Sequence, residues 1–225
     1  MITPYKSTFR VSQAYWNLRA DGTRHQGYDL VGIDAKEIYS TVYGKVIRAG
    51  WENAANHAQG WGQRVVVQIG STKYFMYFGH LSSIAVVTGQ LVTPGTLIGT
   101  EGSTGHSTGS HLHWEIRYGD KKTGVRSVAQ YAGIPNTASK TSHSAEDGAA
   151  ILGTGTLRMG QNDFPACLYN SILQERLTEL RYADVGPADG LFGAATESAV
   201  RLFQKYMGLT VDGKVGPLTK AKLFT

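Results

Sequence analysis

The chain has 225 residues, 41% of them hydrophobic and 17% charged, which is a globular composition long enough for one large domain or two ordinary ones. No run approaches the roughly 20 apolar residues needed to span a bilayer, and Met1-Ile2-Thr3-Pro4-Tyr5-Lys6 lacks the basic start and apolar core of a signal peptide. The net charge of +5 favours acidic partners, but the basic residues are scattered rather than interleaved with aromatics, which argues against nucleic acid and leaves the anionic polymers of a bacterial wall.

Residues 1 to about 20 mix Tyr5, Phe9, Tyr15 and Trp16 without a clear period and are expected to be irregular, at the edge of a first domain. Asp21-Gly22 marks a turn before His25, Gly27 and Asp29. Short strand-like runs then alternate with glycine turns at Thr41–Ala49, Arg64–Ile69, Tyr74–His80, Thr96–Thr100 and His111–Arg117. That rhythm predicts a mainly antiparallel β-sheet domain. The pattern stops near Ile134, where Pro135 to Ser144 is small, polar and aperiodic and reads as a linker.

The last third changes character. Ile172, Leu173, Leu177 and Leu180 fall at helical spacing, as do Ala195, Ala199, Phe203 and Met207. Gly208 suits a helix end, and Pro217 suits the first position of another. The form Asp-Gly-x-apolar-Gly-x-x-Thr occurs at Asp189 and again 23 residues on at Asp212. Turn-then-helix units in a small helical bundle follow from it. Cys167, the sole cysteine, excludes an internal disulfide and a cysteine-based metal site, and is read as a packed thiol. The expected organisation is α+β overall: a first domain over 1–133, a linker over 134–156 and a three-helix domain over 157–225.

The chemistry-bearing residues are histidines. On a strand, His111 and His113 point to one face and Leu112 and Trp114 to the other, with the two histidine Cα atoms roughly 6.6 Å apart. The preceding loop, Gly102 to Gly109, is glycine-rich and reads as a flexible wall. His25 stands four residues before Asp29, with Gly27 between them to let the backbone bend. His80 ends an apolar strand. Catalytic zinc takes three nitrogen or oxygen ligands and keeps one position open, and His25, Asp29 and one of the paired histidines would complete that set. Taken singly, each has an ordinary explanation: polar residues on a wet sheet face, a hydrogen-bonded pair in a turn, a satisfied histidine at a strand end. His57, His106 and His143 lack such partners and are read as loop residues.

Together, His-x-Gly-x-Asp-Leu at 25–30, Phe-Gly-His-Leu at 78–81 and Ser-Thr-Gly-Ser-His-Leu-His-Trp-Glu at 107–115 resemble the three motifs of the lysostaphin-type zinc metallopeptidases, which are peptidoglycan endopeptidases with an open antiparallel β fold. The resemblance implies Zn2+ held by His25, Asp29 and His113, with His80 and His111 as the two catalytic histidines beside it. One takes a proton from the attacking water and returns it to the departing amine, and the other steadies the oxyanion. His111 is favoured as the acceptor and His80 for the oxyanion, with the reverse assignment left open. Ser110 stands where the family often has proline, and Trp114 where it usually has phenylalanine. The C-terminal repeat resembles the three-helix peptidoglycan-binding domains over about 168–224.

Two functions are carried forward. The favoured one is a wall-lytic endopeptidase tethered to peptidoglycan and acting as a monomer, with no nucleic-acid or membrane partner. The missing signal peptide favours a phage endolysin held in the host cytoplasm until release, or a virion-borne enzyme. The second is a catalytically inactive wall-binding or hydrolase-regulating protein on the same scaffold. A glycan-cleaving enzyme would need two carboxylates flanking the bond. Glu101 and Glu115 are available, but Glu115 shares a strand face with His113 and suits a supporting role.

Overall fold

The computed structural model describes residues 3–119, 125–142, 152–182 and 185–225. They fall in two compact units, one drawn from 2–68 and 73–145, the other from 69–72 and 146–225. The first is mostly antiparallel sheet. Its strands are β1 (Phe9–Gln13), β2 (Tyr28–Gly32), β3 (Glu37–Tyr39), β4 (Gly44–Trp51), β5 (Gln63–Ile69), β6 (Tyr74–Leu81), β7 (Ser83–Ile84), β8 (Leu91–Val92), β9 (Leu97–Thr100), β10 (Leu112–Tyr118), β11 (Val125–Arg126) and β12 (Thr141–Ser142), with one short helix, α1 (Val128–Ala132), before the last. The main sheet runs β12-β1-β2-β10-β6-β5-β4-β8, with β11 on β10, and β3, β9 and β7 form a smaller one.

Two details depart from expectation. Residues 9–13 are a strand, because Phe9 and Val11 alternate with more exposed neighbours and bury one face against β2. Residues 134–142, within the stretch read as linker, pack on the first unit: the Ser139 amide donates to the Val11 carbonyl at 2.7 Å, the Val11 amide to the Lys140 carbonyl at 2.9 Å, and β12 pairs with β1. Residues 143–151, including His143, lie outside the described residues.

The core under the site is apolar and closed. Leu112, Trp114 and Ile116 of β10 are fully buried, as are Leu30, Met76 and Phe78 on the strands beside it. Burying each such side chain contributes about 1.5–3 kcal/mol, so β10 is a rigid mount for the residues on its other face. Trp114 meets Tyr131 of α1 edge-on, ring centroids 6.2 Å apart.

The second unit holds α2 (Ala166–Glu179), α3 (Ala194–Tyr206) and α4 (Pro217–Leu223), the last opening on its proline. Cys167 is buried. The buried face of α3 is Thr196, Ala199, Val200, Phe203 and Gln204 rather than 195, 199, 203 and 207. A strict four-residue step overruns the 3.6-residue turn, so Ala195 and Met207 rotate out at the ends. The repeated Asp-Gly turns are clamped by glutamines that the pattern did not single out. Gln174 donates to Asp189 (3.0 Å), the Leu191 carbonyl (3.2 Å) and Thr196 (3.2 Å), and accepts from the Gly190 amide (3.0 Å). Gln204 repeats this on Asp212 (2.8 Å), the Lys214 carbonyl (2.8 Å), Thr219 (3.2 Å) and the Gly213 amide (2.9 Å). Lys220 ties down the segment before α2, donating to the carbonyls of Leu152, Gly153 and Gly155.

Candidate metal and catalytic site

Strands β2, β10 and β6 lie side by side, and each carries or borders one of the three motifs. Register does the rest: Asp29 stands opposite His113, and His113 opposite Gly79, the residue before His80. Residues 84 and 34 positions apart in sequence thus meet in one row across the sheet. His25 comes from the turn entering β2, where its amide donates to Asn17 (2.9 Å) and its carbonyl accepts from Trp16 (2.7 Å).

Hydrogen bonds fix which ring nitrogens face inward. His25 Nδ1 is 3.0 Å from the Ala14 carbonyl, which can only accept, so Nδ1 carries the proton and Nε2 is free. His113 Nε2 donates to the buried Glu115 carboxylate at 2.9 Å, which frees Nδ1. His25 Nε2, His113 Nδ1 and Asp29 Oδ1 then converge, 3.2, 3.1 and 2.9 Å from one another. Zinc bonds of about 2.0–2.1 Å in a tetrahedron require ligand atoms about 3.3 Å apart. The donor set fits. Three acceptor atoms at this separation repel unless a cation or proton lies among them.

Electrostatics agree. Burial alone would raise the Asp29 pKa, but in the metal-free site His113 and His25, when a second proton sits on the inward ring nitrogen, donate to the carboxylate, outweigh burial and hold it well below its usual range. Burial would lower that of His113, and the Asp29 and Glu115 carboxylates overcome this and raise it to about 9. Glu115 is itself held low against its burial by His113 and by Arg117, whose Nε lies 2.5 Å away.

His111 flanks the triad, its Nε2 3.8 Å from Asp29 Oδ1 and its Nδ1 2.8 Å from the Gly109 carbonyl. The ring of His80 is 4.6 Å from that of His111, centroid to centroid. His80 Nδ1 donates to the Thr104 carbonyl at 2.8 Å. Burial lowers its pKa to about 4. Its φ of 62° lies in the left-handed region, uncommon outside glycine. The five residues singled out by pattern therefore lie together, and His57 is stacked on Trp51.

Several contributors were not visible beforehand. Trp61 stacks on His113, with centroids 5.1 Å apart, and the Arg117 guanidinium covers Trp61 at 4.7 Å. No periodicity marks Trp61, because it lies at the end of an irregular loop. The 102–109 loop is pinned rather than flexible. A Cβ on Gly62 would meet the Thr104 carbonyl carbon at 2.3 Å, and one on Gly105 would meet the Gly62 amide nitrogen at 2.2 Å. Two backbones mesh there, and Thr104 is held to receive His80. Gly27 is needed for a different reason from bending: a Cβ there would lie 2.5 Å from the Trp114 carbonyl and 3.0 Å from the His113 ring. Glu101 is a buried hub for Tyr5 (2.6 Å), the Gly32 amide (2.7 Å), Lys36 (2.8 Å) and Ser110 (2.6 Å). Ser110 thereby acquires a task that proline could not perform.

Residues 23–125 match peptidase family M23, and residues 171–223 match the putative peptidoglycan binding domain. The segment 23–125 is similar to the M23 peptidases. Lysostaphin of Staphylococcus simulans is 35% identical to it over 101 residues, 44% of this chain and 19% of that protein. The glycyl-glycine endopeptidase ALE-1 of Staphylococcus capitis is 25% identical over 224 residues, 89% of this chain and 59% of that one. The peptidoglycan DD-endopeptidase ShyA of Vibrio cholerae is 38% identical over 92 residues, 41% and 20% respectively. The chain thus spans less than two thirds of the length of each. No described helix is long and apolar enough to cross a membrane.

Proposed function

We propose that the protein is a zinc-dependent endopeptidase that hydrolyses peptide bonds of peptidoglycan, with its M23 domain cutting and its helical domain holding the wall. The observation that carries this reading is the convergence of His25 Nε2, Asp29 Oδ1 and His113 Nδ1 within 3.2 Å of one another, with His111 and His80 alongside. Those three residues would hold Zn2+, which when bound acts as a Lewis acid on a carbonyl and makes water easier to deprotonate.

The chain's own residues do the remainder. Glu115 and the Ala14 carbonyl fix the ligand tautomers, as outer partners of metal-binding histidines do. His111, with its Nδ1 proton committed to Gly109, presents Nε2 as an acceptor toward the triad and is the general base, later returning the proton to the leaving amine. His80 in its neutral form also presents an acceptor at Nε2, so it can donate to an oxyanion only after gaining a second proton there. Tethering raises the local concentration of an insoluble substrate without new catalytic contacts. A groove of about 280 Å³ beside the Asp212-Gly213 turn, lined by Leu209, Thr210, Lys214, Pro217 and Leu218, is the place for that contact.

The test is digestion of purified walls by zinc-loaded protein. New amino termini on intact glycan strands, lost on chelation and restored by zinc, are expected; new reducing sugars alone would refute the reading. Lysis of intact cells by added protein tests an endolysin-type use. No observation favours the inactive scaffold, since all five site positions are filled. The glycan-cleaving alternative is disfavoured because Glu101 and Glu115 are both already engaged by hydrogen-bond donors.

A further inference from the structure

Beside the metal triad lies a cleft of about 210 Å³ lined by Arg19, Thr23, Arg24, Gln26 and Trp61, with His113 and Glu115 at its inner end. Four of these come from the turn that delivers His25. That turn is built to be stiff. The Arg19 amide donates to the Thr23 carbonyl at 2.8 Å, Leu18 bridges to Arg24, and Asp21 accepts from the Thr23 amide and hydroxyl at 2.9 and 2.7 Å. Arg24 is anchored through Nη1 to the Trp16 carbonyl at 3.1 Å, and its other nitrogens have no hydrogen-bond partner among the described residues. Arg19 and Arg24 are both exposed.

The charge balance of the cleft is positive. Glu115 is neutralised by Arg117 and His113. Asp21 spends its carboxylate on Thr23 and is also influenced by the charge of Arg19. Among the described residues, that leaves the guanidinium of Arg24, and part of that of Arg19, without a fixed counter-charge, beside the metal ligand His25 in sequence. Paired guanidinium groups recognise planar anions, above all carboxylates. Trp61, its edge on the cleft and its face on His113, would shield such a pair from water and strengthen it.

We propose that this cleft is a subsite for a free carboxylate on a residue next to the scissile bond. The preferred substrate is then an acidic peptide cross-link or stem, not a neutral glycyl bridge. The proposal rests on the endopeptidase reading and names its substrate class. A glycyl bridge offers the arginines nothing, and an amidated stem offers them a neutral group of the same shape.

The test uses the full, zinc-loaded chain and soluble cross-linked peptide fragments of peptidoglycan, either with free carboxylates or with those carboxylates converted to amides. The readout is the ratio of kcat/KM for the free over the amidated form. A ratio of at least about tenfold is expected for the wild type, falling to about one or two in the Arg19→Gln/Arg24→Gln double variant. Arg19→Gln alone removes no hydrogen bond seen among the described residues and is expected to lower the ratio several-fold. Zinc content and circular dichroism establish that each variant is folded. A wild-type ratio near one, or an unchanged ratio in the folded double variant, overturns the subsite and leaves the endopeptidase standing. Failure of the wild type to cleave either form overturns both.

Discussion

Gly27 illustrates how little room the site leaves at the scale of single residues. Adding one methyl group there pushes on the Trp114 carbonyl and on the Cε1–Nε2 edge of the His113 ring. Gly27→Ala is therefore expected to displace His113 and to lower kcat/KM by at least about 10²-fold, the usual cost of moving a reacting group by about 1 Å. Near-normal activity in this variant would show that the ring has slack. His113 also sets a pH dependence. Its pKa of about 9 in the metal-free protein stands above the roughly 6.5 of a free imidazole, so a proton competes with the cation for Nδ1. Apparent zinc affinity should rise about tenfold per pH unit and level off above about pH 9. The raised folded-state pKa contributes stability to the metal-free protein that is complete below about pH 6.5 and is lost as pH climbs through about 9. Zinc titration and thermal melting across that range check both signs; a flat affinity profile would count against His113 as a ligand. The five side chains proposed for the metal and the chemistry are legible as a group in the sequence because two are spaced by a strand period and all lie in compact motifs. The groups that aim them, the carbonyls of Ala14, Gly109 and Thr104, are main-chain atoms that any residue supplies, so no letter of the sequence could have marked them.

Among elements, the strand runs before Ile134 and the final helices follow from alternation and helical spacing. The 9–13 strand is missed because only two of its residues are strongly apolar. In the helical unit the repeated Asp-Gly signature is structural, since both aspartates and both threonines are occupied by Gln174 or Gln204. The glutamines escape the pattern because they stand 15 residues before one turn and only 8 before the other. Gln204→Leu keeps the volume and removes four hydrogen bonds, and is expected to destabilise this unit by about 2–4 kcal/mol. Wall retention should fall with it, while hydrolysis of soluble peptide fragments stays near wild type. Equal losses on both substrates would mean that the helical unit does more than tether.

For the molecule as a whole, a net charge of +5 and the insoluble anionic substrate proposed for it make ionic strength a lever. Raising salt from about 0.05 to about 0.5 M shortens the screening length well below 10 Å and should weaken retention on walls several-fold. Retention that ignores salt would mean that the proposed groove holds the wall through its apolar residues Leu209 and Leu218 and not through charge.

The meshed glycines at 62 and 105 carry a practical corollary for anyone re-engineering this domain. The turn ahead of β5 and the loop ahead of β10 interlock like two cogs, so exchanging either one alone for the loop of a relative would jam against the other and unseat His80. Grafts in this region should travel as a matched pair, with Thr104 and both glycines carried along.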